Sequence, residues 1–182
     1  LRALRVLKEV DFVLCEDTRV TRKLLSHYEV HIPTLSYHQH STEKEMARVF
    51  DLLSQGKNIA LVSDAGTPGI SDPGNELIHY LLQKDSATKI VPIPGPSALC
   101  AGASIAGFPM DKFLFMGFPP HKKKRKKFFE EIAQSQYPVI FYESPYRIIK
   151  SLSELSSILN TRYKIPASPA KRGEQDTRIV VC

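Results

Sequence analysis

Two glycine- and proline-rich stretches carry the residue types from which a small-molecule pocket is built. Ser63-Asp-Ala-Gly-Thr-Pro-Gly-Ile-Ser-Asp-Pro-Gly74 holds three glycines and two prolines, and Pro94-Gly-Pro-Ser-Ala98 is the second such stretch. Each follows a β-rich run, Ile59 to Val62 and Ile90 to Ile93. Ligands of open α/β sheets settle beyond the carboxyl ends of strands, where glycine lets the backbone approach them closely. The same composition also makes tight turns that hold nothing, but two such loops in one half of a chain favour a shared pocket. Neither loop has the form G-x-x-x-x-G-K-[ST], and no G-x-G-x-x-G follows a strand. The phosphate-cradling and dinucleotide fingerprints are therefore both missing.

A second chemistry is written in His121-Lys-Lys-Lys-Arg-Lys-Lys127, a run with six consecutive cations. It falls at the predicted start of a helix, where the macrodipole disfavours positive charge. A phosphate backbone would compensate it, and so would solvent around a mobile loop; RNA contact is the preferred expectation. The chain as a whole carries a formal charge of +6, which points the same way. His38 and His40 share one side of an extended segment, but no third ligand has matching spacing, so no metal site is expected. Stacking or hydrogen bonding to RNA and a plain solvated loop are both open for that pair.

The elements that position these residues alternate. Leu1, Leu4 and Leu7 have helical spacing; Phe12 to Cys15 reads as a buried strand, and Thr21 to Tyr28 as a helix. Pro33 to His40 reads as strand and loop. Thr42 and Glu45 form a T-x-x-E capping box ahead of Met46, Val49, Phe50 and Leu53, with Gly56 as the stop. Strand Ile59 to Val62, helix Asn75 to Lys84, strand Ile90 to Ile93 and a helix beginning near Pro96 follow. Gly107 to Lys112 reads as a linker. Strand Phe113 to Met116, helix Lys126 to Gln134, strand Val139 to Tyr142, helix Pro145 to Leu159 and strand Arg178 to Val181 then repeat the alternation. The last helix is expected to bury Ile148, Ile149, Leu152, Leu155 and Leu159. Strand and helix in turn imply an α/β fold with a mainly parallel sheet covered on both faces. Two domains are expected, 1–108 and 112–182, the second incomplete. Cys15, Cys100 and Cys182 lack metal or disulfide spacing and read as thiols in or near the core. No apolar run reaches the roughly 18 to 20 residues that span a bilayer, and no secretory leader is visible, so a cytoplasmic location is expected.

Four segments resemble the signatures of a known family: Cys15-Glu-Asp-Thr-Arg-Val-Thr-Arg-Lys-Leu-Leu25, Leu61-Val-Ser-Asp-Ala-Gly-Thr-Pro-Gly-Ile-Ser-Asp-Pro-Gly74, Pro92-Ile-Pro-Gly-Pro-Ser-Ala98 and Phe141-Tyr-Glu-Ser-Pro-Tyr-Arg147. They look like those of the tetrapyrrole-methylase-type ribosomal RNA small-subunit methyltransferase I family, in register from about Leu1 to Cys182. The resemblance implies two α/β domains of the tetrapyrrole methylase type with S-adenosylmethionine in a cleft between them. It also implies methylation of a cytidine ribose 2′-oxygen in 16S rRNA, presented as free RNA or as the 30S subunit, and a homodimer. Carried onto matching positions, the cofactor contacts are Ser63, Asp64, Ala65, Gly66, Pro94, Ser97, Ala98, Tyr142 and Glu143, largely through backbone groups. The family's first strand with its T-P-I-G-N loop, and an R-E-L-T-K segment beyond Cys182, are not in this sequence, so truncation at both ends is expected.

Methyl transfer from a sulfonium is an in-line displacement, in which orientation matters more than proton handling. A side chain that accepts the ribose proton would still help. Glu16, Asp17, Arg19, Asp64, Asp72 and Glu143 are the polar residues at strand ends or in the motif loops, and Asp17, Arg19 and Glu143 are the catalytic candidates. Asp17 reads equally as a helix N-cap. Arg19 and Arg22 are expected to meet RNA phosphate, the competing reading being carboxylate pairs at the surface. Lys122, Lys123, Lys124, Arg125, Lys126 and Lys127 complete the expected RNA contacts. Three alternatives remain: a methyltransferase of the same fold acting on a tetrapyrrole-like small molecule, a fragment that binds RNA without catalysis, and a fragment with no activity of its own.

Overall fold

The computed structural model describes residues 1–163. The chain divides into two compact units, Leu1–Ser97 and Ala98–Cys182. The helix that starts near Pro96 thus groups with the second unit.

The first unit is built on three parallel strands, β1 (Phe12–Cys15), β2 (Thr34–Ser36) and β3 (Ile59–Val62), in the order β2-β1-β3. The helices that connect and cover them are α1 (Arg2–Glu9), α2 (Thr18–His27), α3 (Glu43–Ser54) and α4 (Asn75–Lys84). Successive strand residues point to opposite faces, and the core follows that rule. Leu14 packs with Tyr37, Val49, Leu77 and Leu81, flanked by Ile59 and Leu61, which places α3 and α4 on one face. Val13 packs with Leu7, Leu25 and Val30, flanked by Ala60 and Val62, which places α1 and α2 on the other. The near-continuous apolar run Phe-Val-Leu-Cys is what a strand covered on both faces requires.

Helix α3 starts where the sequence says it should. Thr42 Oγ1 accepts from Glu45 N at 3.4 Å, and Glu45 Oε2 accepts from Thr42 N at 2.6 Å. Gly56 closes the far end at φ +78°, a left-handed conformation that costs glycine nothing. Thr42→Ala is expected to cost about 1 kcal/mol and lower the first unit's Tm by roughly 4 to 8 °C, read by thermal circular dichroism.

Ile90 to Ile93 is not a strand: among the described residues no ladder pairs with it, and Ile90 and Val91 lie exposed. Pro92 has no N–H to give to a ladder, so the β-rich side chains do not suffice.

The second unit contains α5 (Ala98–Ile105), β4 (Leu114–Phe115), α6 (Arg125–Gln134), β5 (Val139–Ile140) and α7 (Ile148–Tyr163). β4 and β5 pair in parallel. Phe128, Phe129 and Ala133 of α6 pack on Leu155 and Leu159 of α7. The buried line of α7 runs Ser151, Leu155, Leu159. Ile149 stands off that line and is exposed, because a helix turns about 100° between neighbours and positions two and six residues from Ser151 and Leu155 fall on another side. Cys15 is buried, whereas Cys100 is exposed rather than near-core. Arg178 to Val181 and Cys182 lie outside the described residues. Among the described residues, no helix is long and apolar enough to cross a membrane.

Candidate functional site

Because β2, β1 and β3 run parallel, their carboxyl ends share one edge of the sheet, and the chain leaves that edge at Tyr37, Glu16 and Ser63. Asp17 opens the turn after β1. Its Oδ1 accepts from Arg19 N at 2.8 Å, making it the N-cap of α2. The same carboxylate takes the Arg19 guanidinium in a fork, 3.1 Å from Nε and 2.7 Å from Nη2. These bonds from the Arg19 side chain, then from its backbone, hold the Asp17 carboxyl at about 2, far below where a useful proton acceptor sits. The structure thus joins Asp17 and Arg19 as an exposed ion pair with a capping role. Arg22 Nε donates to Thr34 Oγ1 at 3.1 Å. His38 Nδ1 accepts from His40 N at 3.2 Å, so that pair shapes its own turn.

The loop from Ser63 to Gly74 needs its glycines. Gly66, Gly69 and Gly74 have φ of +73°, +82° and +145°. A Cβ at Gly74 would lie 3.0 Å from Leu61 Cδ2 and 3.2 Å from Gly69 N; at Gly69 it would lie 2.8 Å from Asn75 Oδ1. Asn75 Nδ2 donates to Gly69 O at 2.6 Å, and Gly69 N donates to Pro73 O at 3.2 Å. The loop therefore folds back on the start of α4 and leaves Asp64, Ala65, Gly66 and Thr67 exposed beyond β3, with Ser63 half-buried.

At this edge Asp72 Oδ2 lies 3.4 Å from where a Cβ on Gly66 would stand, and Glu16 and Asp64 are the like charges that act on it. Burial raises the Asp72 carboxyl, and the like charges of Glu16 and then Asp64 raise it further. Sequence reasoning named all three without selecting Asp72. The usable signal was that parallel strands bring their end residues to one edge. Three carboxylates beside exposed backbone suit a ligand that carries positive charge, such as a sulfonium with an amino group, since that charge relieves their mutual repulsion. Of the second loop, Pro94 is exposed and Ser97 half-buried; Ala98 is exposed and begins α5.

In the second unit, Tyr142 follows β5. Its N–H donates to Gly117 O at 2.8 Å, and its ring meets Phe115 edge-on at 5.0 Å and Phe118 at 5.4 Å. Glu143 turns inward, its side chain 1% exposed. Oε1 accepts from Ser144 N at 2.8 Å and Arg147 Nε at 3.0 Å; Oε2 accepts from Ser151 Oγ at 2.6 Å and faces Arg125 Nη1 at 3.4 Å. Burial pushes this carboxyl up, but the bonds from Ser151, Ser144 and Arg147 outweigh it and hold it below its ordinary value. With both oxygens committed, Glu143 serves this geometry as an ionised anchor.

The basic run splits. Lys122, Lys123, Lys124, Lys126 and Lys127 are exposed, whereas Arg125 is buried. Ser151 and Arg125 are the functional-class residues that the sequence reading placed otherwise or passed over. Their signal was the helical stripe Arg125, Phe128, Phe129, Ile132, Ala133, at i, i+3, i+4, i+7 and i+8. Among the described residues of this unit, open depressions of about 620 Å³ and about 320 Å³ lie beside Ser153 and Asn160 and beside Pro109 and Tyr137. Neither includes a residue of the four motifs, so their size says nothing about the chemistry.

Comparison with known proteins matches residues 1–175 to the family described as Tetrapyrrole (Corrin/Porphyrin) Methylases. The chain is 40% identical over 162 residues to the ribosomal RNA small subunit methyltransferase I of Thermotoga maritima, covering 89% of this chain and 72% of that one. It is 43% identical to the protein of that name in Halalkalibacterium halodurans and 46% identical to that in Vibrio cholerae, covering 89% and 87% of this chain. It spans only 56% and 54% of those two relatives. Among solved structures it is similar to the methyltransferase CobJ (TM-score 0.56, 17% identity, 86% of this chain and 69% of that one). It is also similar to the cobalt precorrin-4 methyltransferase CbiF (TM-score 0.57, 18% identity, 87% and 68%). At such identities the two likenesses speak for the fold alone.

Proposed function

We infer the function from a fixed premise: this chain belongs to the tetrapyrrole (corrin/porphyrin) methylase family. We propose that it carries the greater part of an enzyme that moves a methyl group from S-adenosylmethionine to a cytidine ribose 2′-oxygen of 16S rRNA, as free RNA or within the 30S subunit. The observation that carries this reading is the parallel sheet edge with its left-handed glycine loop, exposed at residues 64–67, and the like-charged Glu16 and Asp64 acting on Asp72 there. The names of the relatives support rRNA as the substrate, and the five exposed lysines supply the charge that an RNA backbone demands.

In this reading the cofactor lies in a cleft between two domains divided near residue 108, as the sequence resemblance implies. Ser63, Asp64, Ala65, Gly66, Pro94, Ser97, Ala98, Tyr142 and Glu143 hold it, and two copies of the chain work in the cytoplasm as a homodimer. S-adenosylmethionine supplies an electrophilic methyl group on a sulfonium. The chain's own contribution is alignment: the loop backbone orients the ligand, and Asp64 and Asp72 oppose its positive charge. A proton released from the ribose oxygen needs an acceptor whose pKa is not driven down. Asp17 is held down by Arg19, and Glu143 by Ser151, Ser144 and Arg147, so neither meets that requirement well.

The direct test supplies the chain with methyl-labelled S-adenosylmethionine and either 30S subunits or naked 16S RNA, followed by mapping of the label. Label on a cytidine ribose supports the reading; label on a tetrapyrrole and none on RNA would replace it. Neutralising Lys122, Lys123, Lys124, Lys126 and Lys127 with glutamine is expected to weaken RNA binding and flatten its salt dependence, by about 0.7 in log–log slope for each lost phosphate contact. Cofactor affinity should not move. A salt slope equal to that of the unsubstituted chain would count against RNA contact by this run.

A further inference from the structure

We propose that Arg125 is a positioning residue for the Tyr142–Glu143 strand end and not a phosphate ligand, although it stands in the middle of the basic run. The inference deepens the proposed reading, since it rests on Tyr142 and Glu143 belonging to the cofactor site.

Three observations lead to it. The first is burial: the Arg125 side chain is 8% exposed, while the lysines on both sides are exposed. The second is saturation. Nε donates to Glu154 Oε2 at 2.6 Å; Nη1 reaches Pro120 O at 3.3 Å and Glu143 Oε2 at 3.4 Å; Nη2 reaches Ser151 Oγ at 2.6 Å and Glu143 Oε2 at 3.5 Å. A guanidinium has five N–H donors, and each has an acceptor here, with the ring of Phe129 lying 5.1 Å from the guanidinium carbon. Nothing is left to offer a phosphate. The third is what the network holds. Glu143 directly follows Tyr142, and its Oε1 fixes the Ser144 amide and Arg147. Arg147 in turn donates to the His121 ring at the head of the basic run. Arg125, Ser151 and Arg147 together clamp the turn after β5 from three sides, with Ser151 donating to Glu143 and accepting from Arg125.

Lysine would not replace Arg125, since a point charge cannot bridge Glu154, Ser151, Glu143 and Pro120 at once. The charge run therefore contains two functions: exposed lysines that meet a polyanion, and one inward arginine that sets the shape of the neighbouring strand end.

The test compares the unsubstituted chain with Arg125→Gln and Ser151→Ala. It measures amide hydrogen exchange at Tyr142 and Ser144, S-adenosylmethionine affinity by calorimetry, and the salt dependence of binding to a labelled oligoribonucleotide. Both variants are expected to exchange faster at Ser144 and to lose cofactor affinity, Arg125→Gln on the order of ten- to a hundredfold and Ser151→Ala less. The salt slope should equal that of the unsubstituted chain, a split that mere unfolding would not give. A slope reduced by about 0.7 in Arg125→Gln, with exchange and cofactor affinity unchanged, would overturn the proposal. If Arg125→Gln does not fold, Ser151→Ala decides alone: unchanged exchange and unchanged cofactor affinity overturn it. If the unsubstituted chain binds no S-adenosylmethionine, the cofactor reading fails, and the exchange data still judge the clamp.

Discussion

Glu143→Ala is expected to destabilise the second unit by about 3 to 5 kcal/mol, because it removes one partner of a buried ion pair and leaves the other charged and enclosed. Arg125 and Glu143 have side chains 8% and 1% exposed, so water cannot take over the guanidinium that the carboxylate now faces. Glu143→Gln keeps an acceptor for Ser151 and is expected to cost less. Chemical denaturation followed by circular dichroism reads both. The effect has a pH signature with a definite sign. Bonds from Ser151, Ser144 and Arg147 hold the folded carboxyl below its ordinary 4.5, so its stabilisation is complete above that value and drains away as pH falls through the lowered one. The gap between the unsubstituted chain and Glu143→Ala should therefore narrow in acid. A gap that stayed constant, or widened below pH 4.5, would mean that the carboxylate is not the stabilising species.

The second large effect is expected from Gly74→Ala. At φ +145° an alanine is strained, by roughly 1 to 3 kcal/mol, and its Cβ would press on Leu61 Cδ2 at 3.0 Å and on Gly69 N at 3.2 Å. Leu61 belongs to the core strand β3 and Gly69 to the loop itself, so relief requires the loop to shift. Since that loop presents the backbone at residues 64–67, cofactor affinity should fall by on the order of a hundredfold. Gly95→Ala is the contrasting case for stability: no atom lies within 4 Å of its Cβ position, and denaturation midpoints should hardly change. Equal cofactor affinity in Gly74→Ala and the unsubstituted chain would separate the loop from the ligand.

The fold was legible wherever a local period coincided with a covered surface. β1, β3 and α4 appear with their expected boundaries, because Val13 to Cys15, Leu77 and Leu81 are buried and Ile59 to Val62 pack partly buried against the same clusters. Ile90 to Ile93 failed, since side-chain preference does not create a hydrogen-bonding neighbour and Pro92 withholds a donor. Ile149 shows the opposite: it is apolar by type, but its angular position on α7 puts it outside.

The site was legible as motifs and not as geometry. That Ser63 to Gly74 bends through left-handed glycines was implied by its composition. That Asp17 spends its carboxylate on Arg19 and a helix cap depends on rotamers no sequence displays. Arg125 shows where composition misleads. Six cations in a row read as one RNA-contacting run, yet the helical stripe that Arg125 shares with Phe128 and Phe129 carries the contrary signal. A charged residue at a core position of an amphipathic helix is buried with partners, or it breaks the helix, and here Glu143, Glu154 and Ser151 are those partners.

The proposed function makes the loop beyond β3 a seat for S-adenosylmethionine. Isothermal titration of the folded chain with S-adenosylmethionine, repeated with Gly74→Ala, tests it most directly. Saturable binding that S-adenosylhomocysteine displaces and that Gly74→Ala weakens is the expected result. A folded chain that gives no binding heat with either compound, or one whose binding is untouched by Gly74→Ala, would contradict it.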